Sequence, residues 1–411
     1  MKSIIANIAR ILFGAVFIFS GFVKAIDPIG FSYKITEYIE PLGIEWLSYF
    51  TLPAAIGLCA AEFALGVFVL LGIWSRLMGL LSILFMAFMT PLTLYIAIFN
   101  PVSDCGCFGD AIIIGNWETF YKNLFFSALA VIIFIYHDKI KPIYKSKFTQ
   151  IIAVCFVTLT IIGFSAFALR YLPVIDFRPY KIGNNIEEQM TVPESAPQDV
   201  YKPATFIYEK DGEQREFTLI DGDFAPADWT YVGQGKQREL LQKGYEPPIQ
   251  DFIITSSEMG EVTDFVLENE NYLFLLAIPS VENASIKNAE KINRIYRYAM
   301  EQGYDFYALT ASPTESVADF RAKTGAEYEF LNAEAKIIQT MIRANPGLIL
   351  MKGGTVYDKW SHYDLPKFDK ALDQDRWETP NTRNKWTVVF WSALLFIIPL
   401  CVLKFFDRKY A

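Results

Sequence analysis

Histidine is almost absent. His137 and His362 are the two in 411 residues, and they stand too far apart, with the cysteines in apolar runs, to build a metal constellation. Both read as exposed structural residues, one beside Asp138 and one in a Ser-His-Tyr-Asp loop. No glycine-rich phosphate loop and no Ser/His/Asp motif occurs. Five cysteines in a chain of this length exclude a disulfide scaffold. Charged residues make up 20%, and the net charge of -8 excludes nucleic acid as a partner. Residues 172–383, which carry most of the acidic charge, contain no cysteine.

What is abundant is apolar. Hydrophobic residues reach 53% and aromatics 16%, more than a soluble protein carries. Six runs approach the roughly 20 residues that cross a bilayer: Ile4–Val23, Leu52–Ile73, Leu77–Phe99, Phe120–Tyr136, Gln150–Leu169 and Trp386–Leu403. The first lacks a small-residue cleavage site and reads as a span rather than a removed signal. Lys2, Arg76, the lysines 139, 141, 145 and 147, and Lys404, Arg408 and Lys409 all fall on one side if both termini are cytoplasmic. Arg170, Arg383 and Lys385 vote the other way but are outnumbered. The expected location is therefore a bacterial inner membrane, with the lipid bilayer as partner and the acidic segment in the periplasm. Phe31–Phe50, with Tyr33, Tyr38, Trp46 and Tyr49, reads as an interfacial helix that caps the bundle. The uncharged last span reads as a plain anchor.

Two cysteines one residue apart, Cys105 and Cys107, interrupt this pattern in a short polar loop, Asp104-Cys-Gly-Cys-Phe-Gly-Asp110. A Cys-x-Cys bridge is tight, and strained accessible bridges tend to be labile or catalytic. They are the candidate catalytic residues. Cys59, Cys155 and Cys401 lie inside apolar runs, and Cys59 and Cys155 read as small core residues. Glu62 falls mid-span and needs a partner; Arg10 is the expected one, as a helix–helix tie or as a proton or cofactor site. Lys24 and Asp27 end the first span on the cysteine side. Lys24 either lowers a thiol pKa or simply snorkels to the interface. Ser20 and Gly21 are small enough for close helix approach.

Residues 172–200 read as an extended linker. Ala204–Lys210 and Glu213–Ile220 flank Asp211-Gly212 as a hairpin. Tyr272–Ile278 and Phe306–Thr310 read as strands. Ile286–Met300, Val317–Thr324 and Ala333–Ile342 read as helices, and Leu348–Met351 with Val356–Trp360 as a closing hairpin around Gly353-Gly354. Strands alternating with helices and closed by a hairpin fit an α/β sheet.

Two resemblances follow. Arg10, Ser20-Gly21, Lys24, Asp27-Pro28, Glu62 with Gly66 and Gly72, the Cys-Gly-Cys-Phe-Gly-Asp run, and Trp117-Glu-Thr-Phe120 with Lys122-Asn123 resemble the DoxX/MauE group of four-span membrane proteins, in its Bacteroidetes-type branch, over residues 1–140. That resemblance implies thiol chemistry. MauE-like proteins are implicated in maturing a disulfide-rich periplasmic dehydrogenase alongside a thioredoxin-like partner, and DoxX-like proteins in quinone-coupled sulfur oxidation. Residues 245–368 resemble a thioredoxin-like domain, through Pro247-Pro248 to Val262 and through Asn345-Pro346, the position of that fold's active-site cis-proline and hence a candidate partner-binding site. The active cysteines of that fold would fall within Pro279–Lys287, which has none, so exchange chemistry by this domain alone is excluded.

The expected architecture is an α-helical membrane bundle, a four-helix core plus two further spans, with an α/β thioredoxin-like extracytoplasmic domain. Its parts are the four-span domain 1–140, the loop and fifth span 141–171, the linker and hairpin 172–244, the thioredoxin-like domain 245–368, the linker 369–385 and the last span 386–411. Three functions fit: thiol–disulfide handling with a periplasmic client or redox protein, a non-enzymatic assembly factor, and a quinone-binding bundle centred on Glu62 and Arg10.

Overall fold

The computed structural model describes the chain except residues 41–42, 103, 203–204, 219–227, 236–239, 243, 375–376, 383–384 and 411. Ala204, the end of the expected first hairpin at 219–220, and Arg383 therefore lie outside the described residues. The chain forms two compact units, one of residues 1–185 with 253–411 and the other of residues 186–252.

The larger unit begins with six helices: α1 (Lys2–Ala25), α2 (Pro28–Ile39), α3 (Thr51–Leu71), α4 (Ser75–Phe99), α5 (Asn116–Ile135) and α6 (Lys147–Arg170). All but α2 are long and apolar enough to cross a bilayer, as is the last helix, α12 (Lys385–Tyr410). Six apolar helices of this length mark a membrane protein. Glycines bring α1 and α3 together. A Cβ on Gly21 would sit 2.5 Å from the backbone nitrogen of Phe63, and one on Gly66 would sit 2.8 Å from that of Ile18. The two backbones touch because no side chain separates them. Phe13, Phe17, Phe63 and Phe126 fill the core around this contact.

Helix α12 is more than the expected anchor. Its Phe396 stacks on Phe156 of α6 and meets Phe63 of α3 edge-on. Tyr144 donates to the Leu400 carbonyl at 2.9 Å. Asp407 accepts from the backbone nitrogens of Lys145 and Ser146, both at 2.9 Å, so it holds the turn that opens α6. Hydropathy does not carry this information, because the partners of Phe396, Leu400 and Asp407 lie more than 200 residues away in the chain.

The sheet of this unit contains β6 (Ile254–Ser256), β7 (Gly260–Glu261), β8 (Leu273–Ile278), β9 (Asp305–Thr310), β10 (Glu329–Ala333), β11 (Gly347–Lys352) and β12 (Thr355–Ser361). Their order is β12-β11-β8-β9-β10-β6-β7, with β8, β9 and β10 parallel and the other pairs antiparallel. Every residue of β8 is buried, as a central strand covered on both faces requires. Helices α8 (Thr263–Leu267), α9 (Ala289–Gln302), α10 (Thr314–Thr324) and α11 (Ala335–Met341) connect the strands. Strand β10 was not expected from sequence, since its five residues alternate too briefly to stand out. His362, expected to be exposed, is buried and lies 3.3 Å from the Asn288 amide.

The segment after α6 is no extended linker. Arg178 is buried and donates to Asp176 at 2.8 and 3.0 Å and to the Thr340 carbonyl at 2.8 Å. Lys359 of β12 reaches the same Asp176 at 3.1 Å. A proline-rich, polar composition reads as loose, but here its charges have buried partners far along the chain. One carboxylate between two cations is held well below its usual range, by Lys359 and Arg178 against the cost of burial.

The smaller unit holds α7 (Ile186–Met190), the pair β1 (Val200–Tyr201) and β5 (Leu240–Gln242), and a sheet ordered β3-β2-β4 from β2 (Thr205–Lys210), β3 (Glu213–Thr218) and β4 (Thr230–Gln234). The β2–β3 hairpin turns at Asp211 and Gly212, both with positive φ, the backbone a two-residue hairpin loop demands.

Gly21→Ala should force α1 and α3 apart and lower stability by about 1–3 kcal/mol. Gly57→Ala, where a Cβ meets nothing within 4 Å, should not. Thermal unfolding in detergent compares the two.

Candidate functional site

The connection from α4 to α5 carries both cysteines, and hydrogen bonds from three helices fix it. Tyr38 of α2 donates to the Cys105 carbonyl at 2.6 Å, and Ser20 of α1 donates to the Cys107 carbonyl at 2.5 Å. Asn116 of α5 donates to the Val102 carbonyl at 3.0 Å. Asp104 accepts from the Gly106 nitrogen at 2.8 Å and pairs with Lys34 at 3.0 Å. Gly106 has φ +62°, a left-handed conformation that glycine adopts freely. This turn folds the two thiols toward each other. Both are free, and their sulfurs lie 2.9 Å apart.

Below the loop, Lys24 of α1 and Glu62 of α3 form a buried ion pair. Glu62 thus has a partner, but not the expected Arg10. Arg10 hydrogen-bonds the Lys141 carbonyl at 3.3 Å, at the opposite end of the bundle. The reason is geometric. Fourteen residues of helix separate Arg10 from Lys24, about 21 Å at 1.5 Å per residue, and the antiparallel α1–α3 contact puts Lys24 opposite Glu62. Lys24 does not snorkel either: it is 3% exposed and stands over the Phe31 ring at 5.0 Å.

The thiols are unequal. Cys107 is held below the ordinary thiol range, first by the hydrogen bond it accepts from the Cys105 thiol, with the Lys122 and Lys24 charges helping against burial. Cys105 is pushed up, by donating that bond and by burial. Tyr38 is pushed up by burial and stays a donor. A thiol drawn downward at Cys107 beside one pushed upward at Cys105 is an asymmetry that favours a thiolate at Cys107.

Asp27 accepts from the Gly30 nitrogen at 2.9 Å, capping α2, and pairs with Arg343 at 3.0 Å. Arg343 also stands 3.7 Å from Asp110 at the end of the cysteine loop. Asn345 and Pro346 follow two and three residues later. Their peptide bond is cis, Pro346 is buried, and the Asn345 amide donates to the Ser280 carbonyl at 2.8 Å. Cys105, Cys107, Lys24, Glu62 and Asp27 thus gather at one end of the bundle, with Asn345 and Pro346 on the segment tied there by Arg343. Cys59 is buried one turn from Glu62, whereas Cys155, expected in the core, is exposed on α6.

Sequence reasoning named Tyr38 and Lys122 without placing them at the cysteines, and missed Lys34 and Arg343. Lys122 places its ammonium 4.4 Å from the Phe108 ring centroid, within the cysteine motif. Its position four residues after Glu118, on the first turns of α5, was a usable signal. Nothing local marks Arg343.

Iodoacetamide should label Cys107 before Cys105, with a midpoint below that of a free thiol. Replacing the ion pair by Lys24→Gln with Glu62→Gln should move that midpoint upward, because a cation that favours the thiolate is gone. Mass spectrometry of labelling against pH reads both.

Comparison with curated proteins and with solved structures gives no significant match. Residues 2–136, which span α1 to α5 and include the cysteine loop and the Lys24–Glu62 pair, match the model of the family described as Methylamine utilisation protein MauE.

Proposed function

We propose that this membrane protein takes part in thiol–disulfide handling during maturation of bacterial envelope proteins, with Cys105 and Cys107 cycling between dithiol and disulfide. The approach of two free sulfurs to 2.9 Å in a loop pinned by α1, α2 and α5 carries this reading. The unequal thiols assign the roles. The Cys107 thiolate attacks one sulfur of a client disulfide, and the other client sulfur leaves and takes a proton from water. Cys105 then loses its proton and attacks Cys107 in the mixed disulfide, releasing the second client sulfur as a thiolate that is protonated in turn. The client gains two electrons and the pair becomes a disulfide. The reverse sequence oxidises a client dithiol. A quinone, which takes up two electrons and two protons within the bilayer, is the class of electron acceptor this direction requires.

The basic residues Arg76, Lys139, Lys141, Lys145 and Lys147 gather at the end of the bundle away from the cysteines. This supports a cytoplasmic placement of that end and a periplasmic one for the cysteine loop and the sheet. The family name adds methylamine-utilisation-type maturation as the kind of process. The strand order, with three parallel strands beside an antiparallel hairpin and Asn345-Pro346 just before β11, supports a thioredoxin-type domain. That domain lacks cysteines, so its role here is to hold a partner beside the pair. The cysteine-free sheet also favours a second reading, a non-enzymatic assembly factor.

Acid-quenched thiol trapping in cells should find Cys105–Cys107 in a mixture of oxidised and reduced forms. Cys105→Ser should accumulate a mixed disulfide through Cys107. Full function in the double variant Cys105→Ser, Cys107→Ser would sink the redox reading and leave the assembly factor.

A further inference from the structure

The thiol pair occupies one tripeptide, Cys105-Gly106-Cys107, and the backbone of that tripeptide is gripped from several sides. Tyr38 donates to the Cys105 carbonyl at 2.6 Å, and Ser20 donates to the Cys107 carbonyl at 2.5 Å. Between them, the Gly106 nitrogen donates to Asp104 at 2.8 Å, and the Gly106 carbonyl accepts from the Gly109 nitrogen at 3.0 Å. Lys34 holds Asp104 in turn, at 3.0 Å. A Cβ on Gly106 would sit 3.3 Å from the Lys34 Cγ, so the turn packs on the stem of that lysine. The grips on the cysteine carbonyls come from far along the chain: Ser20 lies 87 positions from Cys107, and Tyr38 lies 67 from Cys105.

Both helices use one pattern. Ser20 and Lys24 are four residues apart on α1, as are Lys34 and Tyr38 on α2, and residues at that spacing share a helix face. On each helix the hydroxyl donates to a cysteine carbonyl and the lysine pairs with a carboxylate, Glu62 for Lys24 and Asp104 for Lys34. Two helices joined through Asp27 therefore hold opposite ends of the tripeptide.

A Cys-x-Cys bridge is tight, and a free dithiol gives up conformational freedom when it closes. A turn already held with its sulfurs 2.9 Å apart has given up that freedom beforehand. We propose that Ser20 and Tyr38 are positioning residues of the cysteine pair, whose hydroxyls hold the dithiol near its closed geometry and so shift its equilibrium toward the disulfide. This rests on the thiol–disulfide reading above. In closure with a client disulfide, two S–H bonds break and the Cys105–Cys107 bond forms. The client's S–S bond breaks, takes up the two electrons and two protons, and leaves as two thiols.

The test brings the intact protein in detergent to equilibrium with mixtures of reduced and oxidised glutathione. Acid quenching, alkylation and mass spectrometry of the loop peptide give its dithiol-to-disulfide ratio. At a fixed glutathione mixture, Ser20→Ala and Tyr38→Phe should each raise that ratio about two- to tenfold, the weight of one hydrogen bond. Tyr144→Phe is the control. It removes a bond of the same kind, to the Leu400 carbonyl at 2.9 Å, where α12 meets the turn before α6, and should leave the ratio unchanged. The two hydroxyls stand on different helices, so a variant that fails to fold leaves the other to decide. A ratio that stays put in the folded variants, or moves toward the disulfide, overturns the positioning role and leaves the redox reading standing. A shift as large in Tyr144→Phe means general loosening of the bundle and overturns it too. If the unsubstituted protein forms no Cys105–Cys107 disulfide in any mixture, the redox reading falls together with the proposal.

Discussion

A lysine and a glutamate inside an apolar bundle must meet. Either one alone would face desolvation costing several kcal/mol, and breaking such a pair strands a charge. Lys24 and Glu62 meet because glycines let α1 and α3 touch along their backbones. The rest of the site depends on that contact. Ser20 lies one turn before Lys24 and holds the Cys107 carbonyl, so the helix that positions the ammonium also positions the thiol it acts on. Asp27, three residues after Lys24, turns the chain into α2, whose Tyr38 and Lys34 grip the other side of the cysteine loop.

Around this end of the bundle, charges are arranged in alternation rather than in isolated pairs. Asp27 and Asp110 flank Arg343, and Asp176 serves Arg178 and Lys359. The cations come from three places far apart in the chain: the segment after α6, the turn after α11, and β12. Shared carboxylates of this kind tie helices, loop and sheet more firmly than the same ions would as separate exposed pairs. The cysteine-bearing loop therefore sits in a polar surrounding, beside a bundle that is apolar apart from the Lys24–Glu62 pair.

Much of the fold was legible in the sequence. The spans show themselves because a run of about 20 apolar residues has few other uses. Strand β8 shows itself as an unbroken apolar run, and the β2–β3 hairpin through Asp211-Gly212. The misreadings share one cause. Arg10 was paired with Glu62, the start of the 172–200 segment was read as part of a linker, α12 as an anchor, and His362 as exposed. In each case the deciding partner lies far along the chain. The cysteine pair was visible from its spacing, but Arg343 was not, since a single arginine in a turn carries no local mark.

Sequence alone determined which segments are apolar enough to span, where the cysteines lie, and that residues 172–383 have no thiol with which to react. These follow from composition and order, which short-range chemistry reads directly. Tertiary structure decided which charge meets which, that Lys24 rather than Arg10 partners Glu62, and that the two thiols of the loop come within 2.9 Å. Those depend on distances across helices and on the field of buried charges, and both exist only once the chain has closed on itself.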